Sequence, residues 1–176
     1  GTVNWEQSLY AAFKLPPALI YRTAPKTVVD EYYPDLQGEA LVQQWLADVG
    51  FNAPVRWIAD ANARQEHPTW VYQFTHLSPA AVKAGQPGAA HSDDTLYLFQ
   101  RLDRANLDFN TPAEREMREL MLGYWTRFAR SGNPNGPGLP SWPRWAASGK
   151  GATQTLDVPA HPVEALMGQH MKLHLD

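Results

Sequence analysis

The sequence predicts an α/β fold in which helices and strands pack in layers. A helix with a capped start and one apolar stripe begins at Thr111. A second helical pattern over residues 54–63 leads into an aromatic and β-branched run at 69–75, which is typical of a strand. A further short strand is predicted at 154–158. A helix that leads into a strand is the repeating unit of layered α/β folds, and one core accounts for all these elements.

Composition excludes several classes of function. The chain has 176 residues, with 15 Lys and Arg against 18 Asp and Glu, a net charge of −3 and 44% hydrophobic residues. This length suffices for one domain with a sizeable core. No basic run predicts a nucleic-acid partner, and no apolar stretch reaches the roughly 20 residues of a membrane span. The absence of cysteine excludes disulfides, thiolate metal sites and a cysteine nucleophile.

Two helices are predicted before the first strand. The first covers residues 38–49 and is expected to end at Gly50, with an apolar face formed by Leu41, Val42, Trp45, Leu46 and Val49. The second starts near Pro54, which suits a first helical turn, and ends where residues 64–68 break the pattern. Its predicted apolar face consists of Trp57, Ile58 and Ala61.

The helix that starts at Thr111 has the clearest local signals. Thr111 can cap free N–H groups, Pro112 fits the first position, and Glu114 is expected to reach back as in a capping box. Gly132 supplies the stop. Its predicted buried stripe consists of Met117, Leu120, Met121, Tyr124, Trp125 and Phe128.

The remaining segments are connections and one further helix. Residues 78–88 and 131–151 are rich in Pro and Gly and are predicted to be loops. The second of these loops is expected to pack back on the body through Trp142 and Trp145, so it is not a domain linker. A final helix is predicted over residues 163–173, entered through Pro162.

His91 is the first candidate for chemistry. It lies in a loop beyond a strand, preceded by small residues that allow close approach to a partner. Imidazole titrates near neutral pH and can carry a proton in both directions. Residue type alone nevertheless favours an ordinary surface or loop histidine.

A family resemblance favours a catalytic role for His91 over an ordinary loop histidine. Residues 88–99, GAAHSDDTLYLF, resemble the catalytic-histidine segment of the type B carboxylesterases, which typically reads Gly-Ala-x-His-Gly-Asp-Glu-Leu-x-Tyr-x-Phe. The likeness extends to residues 51–56, 71–74, 124–135 and 142–145, and so covers nearly the whole chain. It implies the C-terminal part of an α/β-hydrolase fold, a three-layer fold whose mostly parallel sheet is flanked by helices. Residues 1–176 are then part of one catalytic domain.

The resemblance also implies a catalytic acid and two neighbours of the histidine. Asn4–Leu9 is similar to the run that carries the family's glutamate, and Glu6 takes the place of that acid. Glu6 precedes His91, as the order Ser, Asp or Glu, His requires. Glu6 would orient the imidazole, while His91 moves the proton of the nucleophile. Ser92, which stands where the family has glycine, and Asp94 are expected beside the histidine.

The nucleophile and the oxyanion hole are not found in this sequence. None of the six serines lies in a Gly-x-Ser-x-Gly motif, and no Gly-Gly loop precedes a helix. We therefore expect this chain to hydrolyse a small-molecule carboxylic ester only together with an N-terminal part, present as a separate chain or a missing segment. Its start without Met is consistent with that expectation. Two alternatives are a non-catalytic esterase-like binding or adhesion module and an independent α/β domain.

Other polar groups give weaker signals. His170 and His174 have a spacing that can bind zinc, but no third ligand is evident, so paired surface histidines are favoured. Asp93 and Asp94 are consecutive and point apart, which does not suit a pair of catalytic acids. Asp30 and Glu31 lie in what the sequence indicates is a solvated loop. No metal or organic cofactor is predicted. The compartment stays open between secreted or periplasmic and cytoplasmic.

Overall fold

The structure is a computed structural model, and it describes residues 16–86, 88–89, 92–99, 111–146 and 151–164. The chain forms two compact units, and the boundary between them lies between Ile58 and Ala59. The described residues 16–58 are called the N-terminal unit below, and 59–164 the C-terminal unit.

The N-terminal unit is helical. Its elements are a 3-10 helix at Pro17–Arg22, helix α1 at Lys26–Tyr32, helix α2 at Gly38–Ala47 and a π-helical segment at Asp48–Asn52. Helix α3, Ala53–Arg64, begins in this unit. The core consists of Ile20, Val29, Tyr33, Leu41, Val42 and Trp45. Asp30 and Glu31 are exposed, but they lie on α1 and not in the loop that the sequence indicates.

The helix predicted for residues 38–49 does not end at Gly50. Gly50 lacks the positive φ with which glycine ends a helix, and the chain continues through the π-helical segment into α3. Asp48, fully buried, supports this segment because its carboxylate accepts hydrogen bonds from Tyr33 Oη at 3.0 Å, Gln44 Nε2 at 3.0 Å and Asn52 Nδ2 at 2.8 Å. Val49 is exposed, contrary to the predicted apolar face.

Helix α3 ends at Arg64 as predicted, but its buried face differs from the predicted one. Trp57 is 64% exposed and Ile58 is 53% exposed. The buried residues are Ala53 and Ala59, and Ala59 packs with Val71 and Trp145. The sequence pattern fails here because it identifies apolar residues and not what covers them, and no described residue covers Trp57 and Ile58.

The sheet belongs to the C-terminal unit. Strand β1, Val71–Phe74, pairs in parallel with strand β2, Ala152–Leu156, with Val71 opposite Thr153. Strand β1 lies within the strand predicted at 69–75, and β2 overlaps the strand predicted at 154–158 but begins two residues earlier. In the described residues the order is β1-β2-β3, so β1 has one edge with no strand beside it.

Strand β3, His161–Glu164, replaces the start of the predicted final helix. It pairs antiparallel to β2, with Pro162 opposite Gln154. Proline fits the first turn of a helix and also an edge strand, where its missing N–H costs little, so Pro162 does not distinguish the two. The rest of the predicted helix lies outside the described residues.

Between β1 and β2, the described residues form three helices. Helix α4, Pro79–Lys83, occupies part of the predicted loop and is capped by Ser78 Oγ, which accepts from Ala81 N at 3.1 Å. Helix α5 covers Asp93–Phe99 and helix α6 covers Pro112–Ser131. As predicted, Thr111 caps α6 and Gly132 ends it with a φ of 71°.

The core of the C-terminal unit lies between the sheet and α6. It consists of Phe74, Ala89, Tyr97, Met117, Met121, Tyr124, Trp142 and Leu156. Phe128 is half exposed, whereas Met117, Met121 and Tyr124 are fully buried, so the predicted stripe of α6 is not buried at its C-terminal end. Trp142 and Trp145 are buried, which confirms that the proline-rich loop packs back. Their indole N–H groups donate to Val71 O at 3.1 Å and to Asp60 Oδ1 at 2.7 Å.

Candidate active site

The predicted site residues fall into two groups. Glu6 and His91 lie outside the described residues, as do His170 and His174. Ser92 and Asp94 are described, and so is Ala89, two residues before His91. The structure therefore shows what surrounds the predicted catalytic histidine along the chain.

Ser92 has a left-handed backbone conformation. Its φ is 70°, a value that costs an ordinary residue about 1 kcal/mol or more and that glycine adopts freely. The carbonyl of Ser92 accepts hydrogen bonds from Thr95 Oγ1 at 2.7 Å and Thr95 N at 3.1 Å, which close the turn into α5. The turn therefore explains why a glycine suits this position in the resembling motif.

Asp94 joins the start of α5 to the sheet. One carboxylate oxygen, Oδ2, accepts a hydrogen bond from Tyr72 Oη on β1 at 2.8 Å. The other accepts from Thr95 N at 2.9 Å. Negative charge is favourable in the first turn of a helix. Burial of the ring, together with the neighbouring Asp94 charge, raises the pKa of Tyr72, so this hydroxyl stays a donor at neutral pH.

A buried polar cluster that the sequence did not predict lies at the carboxyl ends of β1 and β2. His76 Nδ1 is 2.9 Å from Asp157 Oδ1, and His76 Nε2 is 3.0 Å from Glu114 Oε1. Tyr97 Oη donates to the other oxygen of Glu114 at 2.7 Å. His76 is 6% exposed, Glu114 0% and Tyr97 2%. We call these four residues the His76 cluster.

The charges of the His76 cluster follow from its geometry. Both imidazole nitrogens face carboxylate oxygens, and an ionised carboxylate is only an acceptor. Where both carboxylates are ionised, the imidazole has to donate from both nitrogens, and it then carries a positive charge between Glu114 and Asp157. Burial and the Glu114 carboxylate raise the pKa of Tyr97, so its hydroxyl keeps its proton. This pairing offsets the cost of burying ionic groups.

The cluster also corrects the expected role of Glu114. The side chain was expected to complete a capping box, but its two oxygens are bonded to His76 and Tyr97. Only the other half of the box forms, in which Glu114 N donates to Thr111 Oγ1 at 3.3 Å. Part of a signal was present in the sequence, because His76 follows the strand predicted at 69–75 and ligand-binding groups gather at the carboxyl ends of parallel strands. Asp157 lay inside the strand predicted at 154–158 and follows β2 only in the structure.

An aromatic cavity opens elsewhere in the C-terminal unit. Its volume is about 310 Å³, and its walls include Trp70, Tyr72, Trp125, Phe128 and Trp142. Tyr72 packs edge-on against Trp125, with ring centroids 5.2 Å apart. Within the described part of the chain, no group of three or more His, Cys, Asp or Glu side chains could hold a metal ion. No helix in that part is long and apolar enough to cross a membrane.

Comparison with known proteins identifies the family. A model of the carboxylesterase family matches residues 22–173, which is most of the chain. The chain belongs to the carboxylesterase family. It is 35% identical over 144 residues to pyrethroid hydrolase Ces2a of Mus musculus, and 34% identical over 108 residues to cocaine esterase of Homo sapiens. These alignments cover 72% and 60% of this chain, but 25% and 19% of the relatives.

Solved carboxylesterases have the same fold. The carboxylesterase EST55 of Geobacillus stearothermophilus matches with a TM-score of 0.69 and 20% identity, over 90% of this chain and 34% of that one. PNB esterase matches with a TM-score of 0.66 and 20% identity, over 90% of this chain and 32% of that one. The expected portion of an α/β-hydrolase fold is thus confirmed. This carboxylesterase-family chain spans about a quarter of the length of its curated relatives.

Proposed function

We propose that residues 1–176 are the C-terminal part of one α/β-hydrolase catalytic domain that hydrolyses small-molecule carboxylic esters. The proposal depends on one observation, the family match over residues 22–173, which includes the His91 segment. In this mechanism His91 is the general base and acid, and Glu6 orients its imidazole. Ser92 and Asp94 shape the turn and the helix that follow His91.

The reaction needs groups from an upstream part of the protein. A serine oxygen from that part attacks the ester carbonyl while His91 accepts the serine proton. His91 returns this proton to the alcohol oxygen as the C–O bond breaks, and backbone N–H groups of the upstream part hold the oxyanion. Water then repeats the sequence on the acyl-enzyme, releasing the carboxylic acid and the free serine.

Two features of the described residues support an upstream part. Within the described part of the chain, the edge of β1 that faces away from β2 has no strand beside it, and proteins ordinarily cover or protect such an edge. In the N-terminal unit, Trp57 and Ile58 expose large apolar side chains next to each other. Exposed apolar groups of this kind mark surfaces that pack against other protein.

A labelling and turnover experiment tests the proposal. This chain alone, and this chain with the upstream part, are treated with a fluorophosphonate and with p-nitrophenyl esters. We expect labelling and turnover only when both parts are present. His91→Gln should lower kcat by at least about 10³-fold, whereas His67→Gln, at an exposed histidine, should leave kcat unchanged.

Three results would contradict the proposal. Turnover by this chain alone would show that the nucleophile is here, and full activity of His91→Gln would remove the histidine from the mechanism. An upstream part without a serine in a nucleophile elbow would favour the binding or adhesion module. Glu6→Gln adds a test of the acid, because loss of the carboxylate should lower kcat and leave KM nearly unchanged.

A further inference from the structure

The proposed mechanism does not use the His76 cluster, although the cluster buries several ionisable groups. A buried ion pair is weak evidence for stability, because apolar residues of similar volume often serve as well. Such a cluster does fix the relative positions of the elements that carry its side chains, because a hydrogen bond is favourable only over a narrow range of distances and angles. The cluster joins four elements: His76 follows β1, Asp157 follows β2, Tyr97 lies on α5 and Glu114 lies on α6.

Helix α5 is held by two hydrogen bonds on one side. Asp94 and Tyr97 are three residues apart and therefore lie on neighbouring positions of the helix surface. Asp94 accepts from Tyr72 on β1, and Tyr97 donates to Glu114 on α6. With seven residues, α5 is too short to hold its position by its own stability, so its contacts with neighbouring elements, these two bonds among them, determine where it lies.

The chain on both sides of His91 reaches this same region. Ala89 is buried in the core that also contains Tyr97 and Phe74. Two residues after His91, at Asp93, α5 begins. Only Ser92 separates His91 from α5 along the chain, and its carbonyl accepts a hydrogen bond from Thr95 on that helix. A displacement of α5 is therefore transmitted through Ser92 to the segment that carries His91.

We propose that His76 is a positioning residue for the catalytic histidine, and that the imidazolium held between Glu114 and Asp157 keeps α5 in the position that the reaction requires. This inference depends on the proposed function for its effect on catalysis. His76 bonds to one carboxylate oxygen of Glu114, which directs the other oxygen to Tyr97. Without the His76 side chain, Glu114 loses the contact that fixes its orientation, and the oxygen that accepts from Tyr97 is no longer held in place.

The test uses the complete protein, this chain with its upstream part. Tyr97→Phe removes the bond between α5 and Glu114 and keeps the ring in the core. Tyr124→Phe is the matched control, because Tyr124 is equally buried in the same core but donates to Pro140 O on the proline-rich loop. We expect Tyr97→Phe to lower kcat about tenfold or more, with KM changed less than about twofold, and Tyr124→Phe to leave both nearly unchanged.

A second measurement is independent of activity. In protein with ¹⁵N-labelled histidine, both ring nitrogens of His76 should carry slowly exchanging protons at neutral pH. Glu114→Gln should make the Nε2 proton of His76 exchange faster and should accelerate amide exchange in residues 93–99. His76→Gln should accelerate the same amide exchange. Glu119→Gln, at an exposed position of α6, should change neither.

The outcomes separate this inference from the proposed function. A neutral His76 with one ring proton would overturn the inference whatever the activity. Equal kcat values for Tyr97→Phe and wild type would overturn it as well, as would a loss of kcat that Tyr124→Phe shares. If the complete wild-type protein neither labels nor hydrolyses esters, the proposed function fails, while the ring-proton and amide-exchange results still decide whether His76 holds α5.

Discussion

Glu114→Gln removes a buried negative charge that faces both His76 and Tyr97. Glutamine keeps the shape of the side chain but replaces one of the two acceptor oxygens with an amide donor. Either the contact with His76 Nε2, at 3.0 Å, or the contact with Tyr97 Oη, at 2.7 Å, then becomes a contact between two donors. Removing one partner of a buried ion pair costs about 3–5 kcal/mol. Because the partly exposed Asp157 still neutralises His76, we expect about 2–4 kcal/mol here.

The loss should appear as local opening of α6. Hydrogen–deuterium exchange of the complete protein measures that opening for the segment 112–131. A loss of about 2–4 kcal/mol corresponds to exchange that is roughly 30- to 1,000-fold faster, since about 1.4 kcal/mol is a factor of ten. Glu119→Gln, on the solvent side of the same helix, should change the opening free energy by less than about 0.5 kcal/mol. Equal exchange in the two variants would refute the buried pairing of Glu114.

Two further predictions concern single residues of the C-terminal unit. Ser92→Gly should relieve the strain of the left-handed backbone at this position and raise the unfolding free energy by up to about 1 kcal/mol, with kcat unchanged. A clear decrease of Tm in thermal denaturation would contradict this reasoning. Burial raises the pKa of Tyr124 to about 12, so its neutral form contributes stability that is complete below pH 10 and is lost as pH rises towards 12. Tyr124→Phe should remove that part of the alkaline decline, and an unchanged decline would argue against it.

Local signals predicted the elements that local interactions determine. Thr111 and Gly132 bound α6 because a side-chain cap and a left-handed glycine act within one turn of the helix. The predictions at Gly50 and Pro162 were wrong because other residues determine the structure there. The three partners of Asp48 support the π-helical segment past Gly50, and pairing with β2 makes a strand at Pro162. Apolar spacing and helix-terminus residues carry no information about such side-chain hydrogen bonds and strand pairing, even where the partners are close in sequence.

The candidate site likewise combines a residue that the sequence predicted with residues that it did not. Its catalytic histidine was proposed from a motif in which all the informative residues are consecutive. The His76 cluster brings together residues that are 38 and 81 positions apart along the chain, and no spacing rule connects them. Tyr97 and Glu114 each fit a simpler role, as core aromatic and capping acid, so nothing in either residue alone indicated their hydrogen bond.

The parallel pairing of β1 with β2 has a consequence for how this chain folds. Val71 meets Thr153 only after a loop of about 80 residues has closed, and that loop contains α4, the His91 segment, α5 and α6. Contacts so distant in sequence form late and slowly. Leu156, which completes the core around Tyr97, and Asp157, which completes the His76 cluster, are both synthesised after this loop. A nascent chain therefore contains its histidine segment without either support until β2 and Asp157 have emerged.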